Sequence, residues 1–268
     1  MEEYQELIAH YNKFNEDKRL TRRHGQVEYT TTMHYIQKYL EEVGRNKKQQ
    51  EISILDIGAG TGRYAIPLSE EGYRVSAVEL VPYNVGILKS KGSDVQAYQG
   101  SALRLKRFES ESFHMVLLLG PMYHLFQEEE KVQALLEAKR VLKKDGVLLV
   151  AYLMNEYSIL VHGFRDNYIE SCMKSGQVDE SFHVVNQPKD LYDYVRISDI
   201  ERLNEKANLK RVQIVATTGA ANYMRPVLRE MNEKTFQIFL DYHFATCERM
   251  DLMGASSHTL DILRKEDL

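Results

Sequence analysis

The sequence predicts an α/β fold in which a seven-stranded, mostly parallel sheet is doubly wound, with helices on both faces. Three observations carry this. Short apolar, β-branched runs alternate with segments of helical period from about residue 51 to 153, and the order returns from 196 to 263. Residues 113–119 are apolar almost without interruption, as befits a central parallel strand buried on both faces. The first strand ends at Asp56-Ile57 and runs into glycines at 58, 60 and 62, a turn that opens a helix and lets a ligand approach bare backbone.

Taken in order, two helices precede the sheet. Tyr4, Leu7, Ile8 and Tyr11 recur at helical spacing, and so do Met33, Ile36, Leu40 and Val43. A charged, glycine-containing stretch at 17–25 lies between them, and a solvated connector at 44–50 follows. After the first strand come a helix at 61–71, a strand at 73–79, a helix at 82–91 and strands at 94–98 and 113–119. The next helix has Glu128, Glu129 and Glu130 in its first turn, Lys143 and Lys144 in its last, and Gly146 as its stop. Val132, Leu135, Leu136, Ala138 and Leu142 give it an apolar stripe, and a strand at 147–153 follows.

The alternation then breaks. Residues 154–195 are polar and aromatic with no clean period and read as an insertion over the sheet. Ser198-Asp199-Ile200-Glu201 reads as a capping box for a helix to about Asn208. A strand with Val212, Ile214 and Ala216 on one face follows, then a second insertion with a long helix at 233–249, and a last strand at 258–263. The organisation expected is a helical cap at 1–50 and an α/β domain at 51–268 with insertions at about 154–195 and 219–256.

Composition narrows the function. A chain of 268 residues with a 43% hydrophobic fraction can bury one large core. A net charge of −4 argues against a tight nucleic-acid binder. Cys172 and Cys247 are far apart and form no C-x-x-C, which suits a reduced, cytoplasmic protein. The start, Met-Glu-Glu-Tyr, carries no signal-type apolar run, and the longest apolar runs are strand-sized, so no membrane partner is expected.

The glycine spacing discriminates among ligands. A dinucleotide loop reads G-x-G-x-x-G, and here Arg63 stands where its third glycine belongs. A second strand ends in Glu79, about twenty residues past the first glycine, the distance that puts a carboxylate beside a ribose. The loop Asp56-Ile57-Gly58-Ala59-Gly60-Thr61-Gly62, together with Glu79, resembles the cofactor loop of class I S-adenosylmethionine-dependent methyltransferases. The resemblance covers about residues 51–153 and 196–263.

That resemblance implies a Rossmann-like methyltransferase fold whose last strand is antiparallel and slots between the fifth and sixth. It implies S-adenosyl-L-methionine as cofactor, with the N-terminal helices and the insertions forming a lid. Asp56 would order the loop and face the methionine end, the backbone of Gly58, Ala59 and Gly60 would approach the cofactor, Glu79 would hold the ribose, and Leu80 would lie against adenine. Ala102 and Leu119 join this cofactor set. Ser101 stands where many relatives have the aspartate that accepts from the adenine amino group. Its hydroxyl is a weaker neutral partner there, or an ordinary loop serine. His114 also replaces a frequent aspartate, at the strand end away from the ligand.

The segment Leu119-Gly120-Pro121-Met122-Tyr123-His124-Leu125 resembles the G-P-x-Y-H-L of a subset of small-molecule methyltransferases and differs from the N-P-P-Y of amino-methylating nucleic-acid enzymes. Tyr123 would wall the methyl channel and His124 would act as base or position the acceptor; otherwise Tyr123 packs and His124 caps a turn. Arg23, in Arg22-Arg23-His24-Gly25, either pairs with the methionine carboxylate or belongs to a solvated turn, and Tyr11 and Tyr4 either close the pocket or pack. His243 and Cys247 share a helical face, where core packing is favoured over metal binding for want of a third ligand; no metal is expected. The function expected is methyl transfer to an O or N atom of a small molecule or short peptide. A nucleic-acid or protein methyltransferase, a non-catalytic S-adenosylmethionine-binding protein and, more distantly, a nicotinamide oxidoreductase are the alternatives.

Overall fold

A computed structural model of the protein describes residues 22–186 and 190–266. Tyr4, Tyr11 and the first expected helix lie outside the described residues. The sheet has seven strands: β1 (Ser53–Ile57), β2 (Arg74–Glu79), β3 (Gln96–Gln99), β4 (Phe113–Leu118), β5 (Leu142–Leu153), β6 (Leu209–Ala216) and β7 (His258–Lys265). They run in the order β3-β2-β1-β4-β5-β7-β6. Strands β1 to β5 are parallel, and β7 is antiparallel to both β5 and β6, between which it lies. This is the topology the resemblance implies.

Alternation along β4 shows why a continuous apolar run was needed. Met115 and Leu117 enter the core on one face, with Ile54 of β1 and Leu149 of β5. Val116 and Leu118 enter the other, with Leu55, Leu148 and Val150. Helix α1 (Arg23–Val43) covers the first face, and its Tyr35, Ile36, Tyr39, Leu40 and Val43 recur at the three- and four-residue spacing of a buried stripe. Helix α2 (Ala65–Glu70) joins it there, and α3 (Pro82–Ser90) follows β2. Helix α4 (Glu128–Val141) covers the second face, with α7 (Ile197–Ala207) beside it.

Several local expectations are corrected. Arg23, His24 and Gly25 are the first residues of α1, not part of a turn ahead of it. Helix α2 begins at Ala65, since Gly60 (φ 55°) and Gly62 (φ 89°) hold the preceding turn in left-handed backbone. Helix α4 ends at Val141, because Leu142 adopts extended backbone and pairs with Phe113. Within α4, Leu136 is 41% exposed and Lys131 is buried in the stripe instead. The cap of α7 is set by Asp199, whose carboxylate accepts from the Arg196 N–H at 2.8 Å, so the box starts two residues before Ser198. A register shift between Arg211 and Gln213 turns Val212 outward, away from Ile214 and Ala216.

The first insertion folds into α5 (Asn155–Ser158), a π-helical turn (Ile159–Arg165) and α6 (Ile169–Ser175). The second holds α8 (Arg225–Glu230), α9 (Glu233–Thr246) and α10 (Met250–Met253). Among the described residues no helix is long and apolar enough to cross a membrane.

Candidate cofactor and acceptor site

The strand order reverses at β1, which has β2 on one side and β4 on the other. Open parallel sheets leave a crevice there, beyond the carboxyl ends of the strands. A cavity with roughly 1050 Å³ of space, partly open to solvent, occupies it. The turns after β1, β2, β3 and β4 all contribute: Asp56 and Gly58–Thr61, Glu79–Val81, Gly100–Ala102 and Leu119–Pro121 with Tyr123, His124 and Leu125. The sequence thus places Asp56, Gly58, Ala59, Gly60, Glu79, Leu80, Ser101, Ala102, Leu119, Tyr123 and His124 around one cavity.

The three loop glycines do different work. A Cβ at Gly58 (φ 76°) would lie 2.6 Å from Pro121 Cδ, and one at Gly62 would lie 2.4 Å from Leu88 Cδ1. Those two are required by packing within the protein. A Cβ at Gly60 would meet no protein atom within 4 Å. Gly60 therefore faces the open space of the cavity, where its missing side chain leaves room for a ligand.

Glu79 ties the loop to β2. Its Oε2 accepts from the Gly60 N–H and its Oε1 from the Val81 N–H, both at 2.8 Å. A carboxylate has about four lone-pair sites, so acceptor capacity remains for ribose hydroxyls. Asp56 is 1% exposed, and its Oδ2 has no hydrogen-bond partner among the described residues. Burial, then the neighbouring charge of Glu79, push its pKa up to about 7, against the pull of the Ala65 N–H. A buried acid with one unpartnered oxygen beside a second acid is fitted to a ligand bearing positive charge. Ser101 Oγ accepts from the Leu103 N–H at 3.2 Å, so it closes its own turn as an ordinary loop serine does, and it lines the cavity as well.

The turn after β4 is a short 3₁₀ helix, Pro121–His124. His124 Nδ1 lies 2.7 Å from the carbonyl of Leu191. A carbonyl only accepts, so Nδ1 carries a proton, and in the neutral form of the ring the lone pair is on Nε2. Tyr123 donates its hydroxyl to Leu119 O, and its own carbonyl accepts from the Asp193 N–H at 2.8 Å. The Tyr192 ring lies 5.4 Å from that of His124 and 6.1 Å from that of Tyr123. Residues 191–193 of the first insertion thus grip the turn. Asp193 is anchored by a buried ion pair to Lys131 of α4 at 2.7 Å and by a hydrogen bond from Asn186. Behind this segment the insertion borders a second pocket, open to solvent, with roughly 760 Å³ of space, lined among others by Tyr168, Tyr192, Tyr194, Ile159 and Cys172.

Some expected residues lie elsewhere. Arg23 does not line the cavity. Its guanidinium donates to the carbonyls of Met231 and Asn232, pairs with Glu233 and lies 4.8 Å over the Phe236 ring. The second insertion does not line it either, and braces α1 instead: Tyr35 donates to Glu248 at 2.7 Å, and Val27 packs with Ala221, Leu228 and Phe236. His243 and Cys247 are core residues, with Cys247 Sγ 3.4 Å from the Tyr35 hydroxyl. His114 bonds the Ser53 N–H, far from the crevice, and burial followed by nearby cations lowers its pKa to about 4. Conversely, Arg63, Tyr64 and Asn84 line the cavity without having been singled out as lining residues. The position of Arg63 directly after the last loop glycine was the available signal.

Known proteins decide what kind of domain this is. A protein-family model described as a methyltransferase domain matches residues 55–150, the stretch from β1 to β5 that supplies every turn around the cavity. Residues 55–150 are a methyltransferase domain, set on the fold of S-adenosylmethionine-dependent methyltransferases. Relatives of the chain include a putative methyltransferase of Geobacillus sp. (strain WCH70), 28% identical over 47% of the chain and 51% of that protein. A glycine/sarcosine N-methyltransferase of Aphanothece halophytica is 31% identical over 43% and 45%. The chain spans about half the length of the curated relatives it matches. The structure of an S-adenosylmethionine-dependent methyltransferase from Methanosarcina mazei superposes with a TM-score of 0.56 at 14% identity, covering 86% of this chain and 96% of that one. The open face of Gly60 and the buried acid Asp56, with its Oδ2 unpartnered among the described residues, fit the shape and cationic charge of S-adenosyl-L-methionine.

Proposed function

We propose that this protein transfers a methyl group from S-adenosyl-L-methionine to an N or O atom of a small molecule or short peptide, with the acceptor entering from the side of Tyr123 and His124. The observation that carries this reading is the shared cavity: Glu79 and Gly60 line one part of it, and Tyr123 and His124 another. The name of the Aphanothece halophytica relative, a glycine/sarcosine N-methyltransferase, favours nitrogen as the acceptor atom. The reading divides the chain at about residue 50 into a helical cap and the catalytic domain, with residues 154–195 as the lid.

Bound S-adenosyl-L-methionine supplies a methyl group already activated by its sulfonium. The protein's part is to hold donor and acceptor in line, and orientation of that kind supplies at most about 7–11 kcal/mol. Glu79 would accept from the ribose hydroxyls and Leu80 would lie against adenine, with Ser101 and Ala102 alongside. Leu119 and the backbone of Gly58 to Gly60 complete the wall, and Asp56 would face the charged end. His124, held by Leu191 with its lone pair on Nε2, would accept a hydrogen bond from the acceptor's N–H or O–H and so orient it; Tyr123 would wall the channel. A methylase of this kind needs a base only where the acceptor starts protonated.

The test is incubation with methyl-labelled cofactor and size-fractionated cell extract, followed by a panel of amines including glycine and sarcosine. Label in the small-molecule fraction supports the reading. Label confined to protein or nucleic acid sinks it. On the identified acceptor, His124→Ala should raise KM with little change in cofactor affinity.

A further inference from the structure

Arg63 is the sole arginine or lysine among the described residues lining the cavity. Its Nε is buried and has no hydrogen-bond partner among the described residues. Its guanidinium lies over the ring of Tyr29 of α1, 4.3 Å from the centroid, and Tyr29 in turn stacks on Tyr64 at 5.5 Å. A cation held by a ring face is oriented and partly desolvated while its N–H donors stay available for a planar anion. Leaving such donors buried without an acceptor is costly. Arg23, the other candidate, has its donors committed to Met231, Asn232 and Glu233.

The ligand's charges complete the argument. S-adenosyl-L-methionine carries one anionic group, the carboxylate of its amino-acid arm, beside an ammonium and a sulfonium. The cavity offers two acids, Asp56 and Glu79, which repel a carboxylate, and one arginine, which binds it. We propose that Arg63 binds the carboxylate of the cofactor's methionine arm and that Tyr29 of α1 holds the guanidinium in place for it. This rests on the cofactor reading above. It makes α1 part of the cofactor site, although no residue of α1 lines the cavity itself.

The experiment compares two ligands by calorimetry: S-adenosylhomocysteine, and 5′-methylthioadenosine, which keeps the adenosyl group and sulfur but lacks the amino-acid arm. Arg63→Gln should weaken S-adenosylhomocysteine about tenfold or more, the usual scale for a charge-assisted pair, and leave methylthioadenosine within about twofold. Arg63→Lys should fall between, having the charge without the fork. Tyr29→Leu should weaken S-adenosylhomocysteine by a smaller factor and again spare methylthioadenosine. Unchanged affinity for S-adenosylhomocysteine in Arg63→Gln overturns the proposal, and so does an equal loss for both ligands, which would mean that Arg63 only shapes the loop. A wild-type chain that binds methylthioadenosine as tightly as S-adenosylhomocysteine overturns this inference alone. A wild-type chain that binds neither overturns the cofactor reading with it.

Discussion

The two ends of the crevice are held together over very different distances along the chain. At the cofactor end, Glu79 reaches a backbone N–H two residues away and another nineteen residues away. At the acceptor end, His124 is held by Leu191, sixty-seven residues on, and Asp193 pairs with Lys131 of a helix on the far side of the first insertion. The first end is a property of one βαβ unit and its backbone. The second exists only once the insertion has folded back over the turn after β4.

The contrast is broken most sharply at the glycines. Gly60→Val should abolish cofactor binding while leaving the fold intact apart from roughly 1–2 kcal/mol for a β-branched residue at positive φ. Gly62→Val should do the opposite, destabilising the fold by roughly 2–4 kcal/mol through its clash with Leu88 and Ile66. Thermal unfolding paired with calorimetry on both variants separates the two effects. Loss of folding in both would show that Gly60 is structural.

The acceptor end is tested at its buried ion pair. Lys131→Met or Asp193→Asn alone should cost about 3–5 kcal/mol, the scale for stranding one buried partner, and the double variant less than the two singles together. Urea unfolding of the full cycle measures this. The same variants should raise the acceptor's KM and leave S-adenosylhomocysteine affinity nearly unchanged. A parallel loss of cofactor affinity would show that the two ends are one unit.

A smaller effect concerns protons at the cofactor end. Asp56 has a folded pKa of about 7, above its unfolded value, so the folded state holds the extra proton between about pH 4 and 7. Its contribution to stability is therefore lost as pH rises through that window, and Asp56→Asn should flatten the slope. Binding a cationic ligand should pull the pKa down and release the proton. Calorimetry near pH 6.5 in buffers of different ionisation enthalpy should detect this release, and it should vanish in Asp56→Asn. No buffer dependence in the wild-type chain would place the ligand's positive charge elsewhere.

The same difference in range explains what could be read from the sequence. The seven strands and the glycine turn after β1 follow from apolar periodicity and glycine spacing, both local signals, whereas the place of the last strand in the sheet came only with the family resemblance. Arg23 and Arg63 illustrate the limit. Both are arginines near glycine, and only the packing of α1 brings Tyr29 to Arg63 and the carbonyl of Met231 to Arg23. Leu136 and Lys131 exchange their expected places in α4 because Asp193, from the insertion, supplies a buried charge that no helical pattern foretells. Val212 is turned outward by a bulge, which shifts the period of a strand without leaving a mark in its composition.

The central claim is that the loop of Gly60 and the carboxylate of Glu79 bind S-adenosyl-L-methionine. Titration of the wild-type chain and Glu79→Ala with that cofactor in a calorimeter tests it directly. The wild-type chain should bind one equivalent, and Glu79→Ala should lose roughly 1–3 kcal/mol of affinity for want of a charged hydrogen-bond acceptor. Equal affinity in the two proteins, or no binding by the wild-type chain, would contradict it.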